Sequence, residues 1–215
     1  MWDSIIETAK AMQEEGAERP SSPFTRADVL REPIFYGGES AYSFQYRDMA
    51  LERYAADEGW LIANKGFCIA DAQAVAEAIS EIQTDKIVSV LSRLKAKSPS
   101  LPSLLPAFTT TIDEIVGHCG LSAKTVRAAL ATISVAAPAN QDFTSLGAFN
   151  VANACPIVAL PDGSYLSLQT YGIVESLYDS PFYWMVGDKS YRPKASAHRG
   201  AFTEQFVAKR LRSVF

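Results

Sequence analysis

Thr111-Ile112-Asp113-Glu114-Ile115-Val116-Gly117-His118-Cys119-Gly120-Leu121-Ser122-Ala123-Lys124-Thr125-Val126-Arg127-Ala128-Ala129-Leu130-Ala131-Thr132-Ile133 reads as two short helices joined by a tight turn. Ile115 packs the first helix. Gly120 supplies the left-handed conformation that such a turn requires. Leu121 plugs the corner, and Ser122 caps the second helix. Val126 and Leu130 (or Ala129) pack its inner side.

In that pattern the stretch resembles the helix-turn-helix of winged-helix regulators, in which the second helix enters the major groove. The resemblance covers about 23 residues of the chain. It implies that Ser122, Lys124, Thr125 and Arg127 face DNA. It also offers the hairpin signal near 157–168 as the wing, after a gap of some twenty residues. Two features of the stretch oppose the reading. The second helix carries only two bases, and Asp113 and Glu114 on the first helix repel phosphate. The alternative is a turn used only for packing or for protein contacts.

Outward from this stretch the chain is helical on the N-terminal side. Residues 2–15 read as an amphipathic helix with Trp2, Ile5, Ile6 and Ala9 on one side, followed by a Pro- and Ser-rich break from Gly16 to Pro23. Ser40 is a candidate cap for a helix bearing Tyr42, Tyr46, Met49, Ala50 and Tyr54. Gly59 interrupts it and Gly66 closes the apolar stretch that follows. Asp71 is the expected N-cap of the longest helix, over 72–96, with Val75, Ala78, Ile79, Ile82, Ile87, Val90, Leu91 and Leu94 on its apolar face. Ser98-Pro99-Ser100-Leu101-Pro102-Ser103-Leu104-Leu105-Pro106 then bars regular structure and is the best domain boundary.

On the C-terminal side, Cys155 to Leu160 and Tyr165 to Leu168 read as strands around the turn Pro161-Asp162-Gly163-Ser164. Tyr171 to Val186 reads as a helix that Pro181 should kink or split. The expected fold is therefore mainly α (α+β). A helical domain spans 1–98 and a Pro-rich hinge 99–110. The two-helix element with one small hairpin and a helix spans 111–188, and a basic amphipathic helix 189–215.

That last segment reads as a helix with nothing to stop it, so the sequence predicts a chain that continues. Its spacing Gly200-x-x-x-Glu204, followed by Phe206-Val207 and Leu211, resembles the first helix of the PD-(D/E)xK nuclease fold, as in Mrr-like and nuclease-related (NERD) domains. The resemblance implies that Glu204 helps to position a Mg²⁺ ion in a longer protein, where hard oxygen ligands hold the metal while it activates water. The family's acidic residue with Lys two positions on occurs nowhere in this chain, so no complete active site is present and no metal ligand set is assigned.

Composition narrows the classes. Of 215 residues, 48% are hydrophobic and 20% charged, an ordinary balance for a globular protein. No apolar run approaches the roughly 20 residues of a membrane span. Three scattered cysteines, Cys68, Cys119 and Cys155, argue for a reducing, cytoplasmic setting and against a disulfide framework. Residues 1–110 carry 11 Lys/Arg against 16 Asp/Glu, whereas 189–215 carry seven bases against Glu204 alone. Arg199, Lys209, Arg210 and Arg212 thus mark a place for an anionic partner.

Three readings follow: a non-catalytic regulatory or targeting region of a larger nuclease, a DNA-binding module, and an interaction scaffold. The third would be a homodimer through the aromatic helix at 41–54. The aromatic set Tyr36, Tyr42, Phe44, Tyr46, Tyr54 and Trp60 reads as core, or as a stacking platform for bases or a peptide groove. Arg47, Asp48, Glu52 and Arg53 read as intrahelical ion pairs. His198 has no Cys or Asp companion at ligand or triad spacing in the sequence.

Overall fold

The structure, a computed structural model, describes residues 42–96, 104–137, 141–145 and 148–214. The expected helix at 2–15, the break after it, the Ser40 cap and the first half of the Pro-rich stretch lie outside those residues. The residues from Ser43 onward form one compact unit, and the fold is mainly helical with one small sheet.

Helix α1 (Ser43–Tyr54) buries Tyr46, Ala50, Arg53 and Tyr54. A single 3-10 turn at Ala55–Asp57 leads into α2 (Glu58–Lys65), so the break falls before Gly59, which lies inside the helix. Gly66 ends α2 at φ 80°, its N–H reaching back to Ile62 O and Leu61 O. The long helix α3 spans Ile69–Ala96. Its start is earlier than the sequence suggests, because Asp71 sits in the first turn and accepts the Cys68 N–H at 2.9 Å. A carboxylate there suits the helix dipole and ties down an orphan donor.

A second 3-10 turn (Leu105–Phe108) and strand β1 (Thr109–Thr110) precede α4 (Ile112–Cys119) and α5 (Ala123–Ile133). The turn at Gly120 (φ 68°) and the Ser122 cap form as expected, the Ser122 hydroxyl accepting the Thr125 N–H at 3.1 Å, and the structure adds a reciprocal capping box of Thr111 and Glu114. Ile115, Val126, Ala129, Leu130 and Ile133 are fully buried, so both candidates for the inner side of α5 pack there.

Strand β2 (Ser134–Ala136), the short helix α6 (Val151–Ala154), β3 (Ile157–Ala159) and β4 (Tyr165–Leu166) follow. The expected hairpin is β3–β4, with Gly163 at φ 83° in its turn. It belongs to a four-stranded sheet of order β1-β4-β3-β2, where β1 pairs antiparallel with β4 and β2 parallel with β3. Strands of two or three residues leave no alternating pattern in the sequence, so β1 and β2 are visible only as partners. Gln83 on α3 fastens the sheet by donating to Phe108 O (3.1 Å) and Ser167 O (2.8 Å).

Helix α7 (Thr170–Gly187) runs unbroken through Pro181. Proline removes one helical donor and crowds the preceding turn. The Tyr54 hydroxyl donates at 2.6 Å to the carbonyl of Tyr178 in that turn. Burial holds the Tyr54 phenol well above its ordinary pKa, so it remains a donor. The last helix, α8, spans Arg192–Val214.

Helix α1 packs on α7, and α3 packs on α4, α5 and α7. The N-terminal half of the expected apolar face of α3 (Val75, Ala78, Ile79 and Ile82) is thus covered by helices that follow the Pro-rich stretch, whereas Leu91 farther along that face is exposed. Segments expected to form separate domains on either side of 99–110 share one core, because neither side covers its own apolar face alone.

Candidate nucleic-acid interface

Helix α5 packs on α2, α3 and α4. Gly66 of α2 comes close enough that a Cβ added there would meet the Ala128 methyl at 3.4 Å. What remains outward is a narrow stripe. Lys124, Arg127 and Ala131 are exposed at helical spacing, and neither base makes an ion pair among the described residues. The small side chain of Ala131 leaves room beside the two bases.

The two hydroxyl residues expected in this interface are otherwise engaged. Ser122 Oγ lies 2.9 Å from Thr125 Oγ1 and also caps the helix. Ser122 is exposed and Thr125 half-buried. Both stand at the N-terminus of α5, where the helix dipole favours an anion.

The acids next to this element are partly neutralised. Glu114 pairs with Lys86 at 2.8 Å and accepts from both Thr111 groups. Burial alone would raise its pKa, but the Lys86 and Thr111 hydrogen bonds outweigh that and hold it below the usual range. Asp113 stays exposed. At the tip of the β3–β4 turn Asp162 accepts from the Ser164 hydroxyl (2.6 Å) and N–H (2.9 Å), which lower its pKa. The turn therefore offers a carboxylate and no base.

Arg199, Lys209, Arg210 and Arg212 are all exposed on α8, which packs on α7 and α1. Arg199 lies over the Phe182 ring at 4.2 Å and Arg210 over Phe206 at 5.2 Å. The structure thus places the two sets of bases on helices with different packing partners. Glu204 is exposed on α8, and among the described residues no three His, Cys, Asp or Glu side chains come together in a group that could hold a metal ion.

A buried polar centre escapes the sequence reading. Asp57, in the turn between α1 and α2, is 2% exposed. It accepts from the Tyr191 hydroxyl at 2.8 Å and lies 2.6 Å from His198 Nδ1. A carboxylate only accepts, so Nδ1 carries the proton in this bond. His198 therefore does have an Asp companion, 141 residues away in sequence. Burial, together with the bond to Asp57, pushes the Tyr191 phenol up to about 12.

The ring of Tyr191 stacks on Trp60 at 5.5 Å, and the Trp60 indole donates to Asp188 at 3.0 Å. Arg53 also departs from its expected intrahelical pairing. It reaches across to Asp179 on α7 (3.6 Å) with its guanidinium 4.3 Å from the Tyr178 ring centroid. Of the aromatic set, Tyr46 and Tyr54 are core, Tyr42 and Phe44 are exposed and Tyr36 lies outside the described residues, while Arg47 and Asp48 do pair at 2.9 Å.

Asp188 gives a pH prediction. The Ser190 hydroxyl, then Trp60 and the Ser190 N–H, pull it down to about 2. A depressed native pKa stabilises the fold above the unfolded value near 4 and loses that contribution as pH falls toward 2. Urea melts between about pH 5 and 2 are expected to show a steeper loss for the native chain than for Asp188→Asn. Equal slopes would show that these bonds do not stabilise the native state.

Comparison of the chain with protein-family models, curated proteins and solved structures gives no match. No helix among the described residues is long and apolar enough to cross a membrane.

Proposed function

We propose that the chain is a DNA-binding module of winged-helix type, with α5 as the helix that meets the duplex. The observation that supports this reading is an arrangement rather than a single residue. A long helix (α3), an edge strand (β1), two short helices (α4, α5) and, after β2 and α6, a hairpin (β3–β4) come in that order along the chain, and the strands lie in the order β1-β4-β3-β2. The hairpin strand β4 thus sits between β1 and β3. Helix α5 then presents Lys124 and Arg127 outward with the Ser122–Thr125 cap at its leading end.

The module binds mainly through phosphate contacts. Two bases and a helix N-terminus suit a backbone clamp, and the turn at Asp162 adds no cation. The exposed bases of α8 are the second candidate contact. Recruitment of a Mg²⁺-dependent nuclease in a longer protein is compatible with such a module and rests on the Gly200–Glu204 spacing alone.

The test is fluorescence anisotropy with a labelled duplex over a salt series. Affinity is expected to fall with salt, and Lys124→Ala and Arg127→Ala each to reduce the slope of log K against log salt by about one. Binding that is absent at low salt, or unchanged in both variants, would overturn the proposal. Loss on replacing Arg199, Lys209 and Arg212 instead would move the interface to α8.

A further inference from the structure

Helix α8 leaves the body of the protein with one apolar stripe uncovered. Val207 is 47% exposed, Leu211 53% and Val214 76%. With Gly200 and Glu204 they fall at alternating intervals of four and three residues, the spacing of a coiled-coil seam. At the near end of the same stripe, α8 and Phe182 of α7 form an open groove lined by Phe182, Ser196, Arg199, Gly200, Thr203 and Glu204.

The groove and the exposed Leu211 lie on one face of α8. Gly200 and Leu211 are eleven residues apart, which is about three turns, so they share a face some 16 Å apart along the axis. A surface that carries both a knob and a matching groove is satisfied by a two-fold copy of itself. Gly200 has open space where a Cβ would stand, so a second helix can approach there.

We propose that two copies of this chain pair through α8 in antiparallel orientation, Leu211 of each seating in the groove beside Gly200 and Phe182 of the other. Charge chooses the orientation. Glu204 is the sole acid of α8. Parallel pairing would set Glu204 against its own copy inside the seam. Antiparallel pairing sets it beside Val207 and within reach of Arg210 of the second copy. The positions flanking the antiparallel seam are Ala201, Thr203, Ala208 and Arg210, so no like charges oppose one another. Lys209 and Arg212 stay outside the seam and keep their exposure, while Arg199, over the Phe182 ring, lines the groove. The pairing does not depend on the DNA-binding reading.

A seam of about four turns buries less than the roughly 1,600 Å² of a standard interface, so the dimer should be weak and its population should rise with concentration. Sedimentation velocity of the full chain from about 5 to about 500 µM is expected to show the mass rising from 23.4 kDa toward twice that value. Leu211→Asp should hold the chain monomeric throughout, with an unchanged circular dichroism melt. Glu204→Arg and Arg210→Glu should each weaken the dimer several-fold, and the double variant E204R/R210E should restore it.

A chain monomeric at every concentration overturns the proposal, and so does a dimer that Leu211→Asp leaves intact, which would point to another surface such as α1. A monomer whose melting temperature drops in Leu211→Asp shows the stripe covered from within the chain, and overturns it as well. Single charge variants that the double variant fails to rescue would overturn the antiparallel orientation.

Discussion

His198→Ala is expected to lower the unfolding free energy by about 3 kcal/mol, and the melting temperature by roughly 6–12 °C for a chain of this size. Asp57 is almost completely buried, and its two donors, Tyr191 and His198, both come from the segment that opens α8. Removing His198 leaves a carboxylate in the interior with one neutral phenol as its partner. The cost is that of the uncompensated charge, and it exceeds the net worth of the bond itself.

The control is Asp57→Asn. In that background the carboxylate charge is gone, and His198→Ala should cost much less, giving a coupling of about 1–3 kcal/mol in the double-mutant cycle. Thermal or urea unfolding of the four proteins measures it. A loss under about 1 kcal/mol for His198→Ala alone would mean that water replaces the imidazole at no penalty. The same cycle tests whether α8 is held to the body by this centre, since the helix carries few buried residues of its own beyond Ala195.

Leu130→Ala should cost a similar amount, about 3 kcal/mol within the usual 2–5 for a buried leucine. Leu130 has no exposed surface and stands with Val126 and Ile133 on the inner side of α5, which packs on α3 and α4. Close packing there means that the cavity stays open in part, so the loss exceeds the transfer term alone. Leu168→Ala is the matched control. At 66% exposure Leu168 loses little contact with water on folding, and the change should stay within about 0.5 kcal/mol. Equal effects at the two positions would contradict the packing of α5. In the DNA-binding reading, Leu130→Ala should weaken binding only under conditions that unfold the chain, whereas Lys124→Ala and Arg127→Ala should weaken it with the fold intact.

Much of the region around α5 is legible in the amino-acid sequence alone. Gly120, Ser122 and the apolar positions Ile115, Val126 and Leu130 all act within a few residues of one another. Caps, left-handed turns and helical periodicity are local, so a linear reading reaches them. The β3–β4 turn is legible for the same reason, since Asp162 and Gly163 carry their turn chemistry with them. The outward bases of α5 follow once its inner face is known.

The rest depends on partners far away in the chain. Arg53 reads as one of a set of intrahelical ion pairs with Arg47, Asp48 and Glu52, yet it turns to Asp179 and Tyr178 because α1 lies against α7. His198 looks solitary until the chain returns to Asp57. Pro181 looks like a break until the helix around it is buried and Tyr54 donates to a neighbouring carbonyl.

The sequence by itself therefore determined a mainly helical chain with a capped two-helix turn, a hairpin and a basic last helix. Only the tertiary structure decided that helices on both sides of the prolines share one core, that two more short strands complete the sheet, and that Asp57 is buried against His198 and Tyr191. The physical reason is the range of the interactions. Caps and periodicity are set by bonds that span a single turn, whereas the burial of α3, the pairing of β1 and β2, and the environment of Asp57 are properties of surfaces that meet only when the chain has folded.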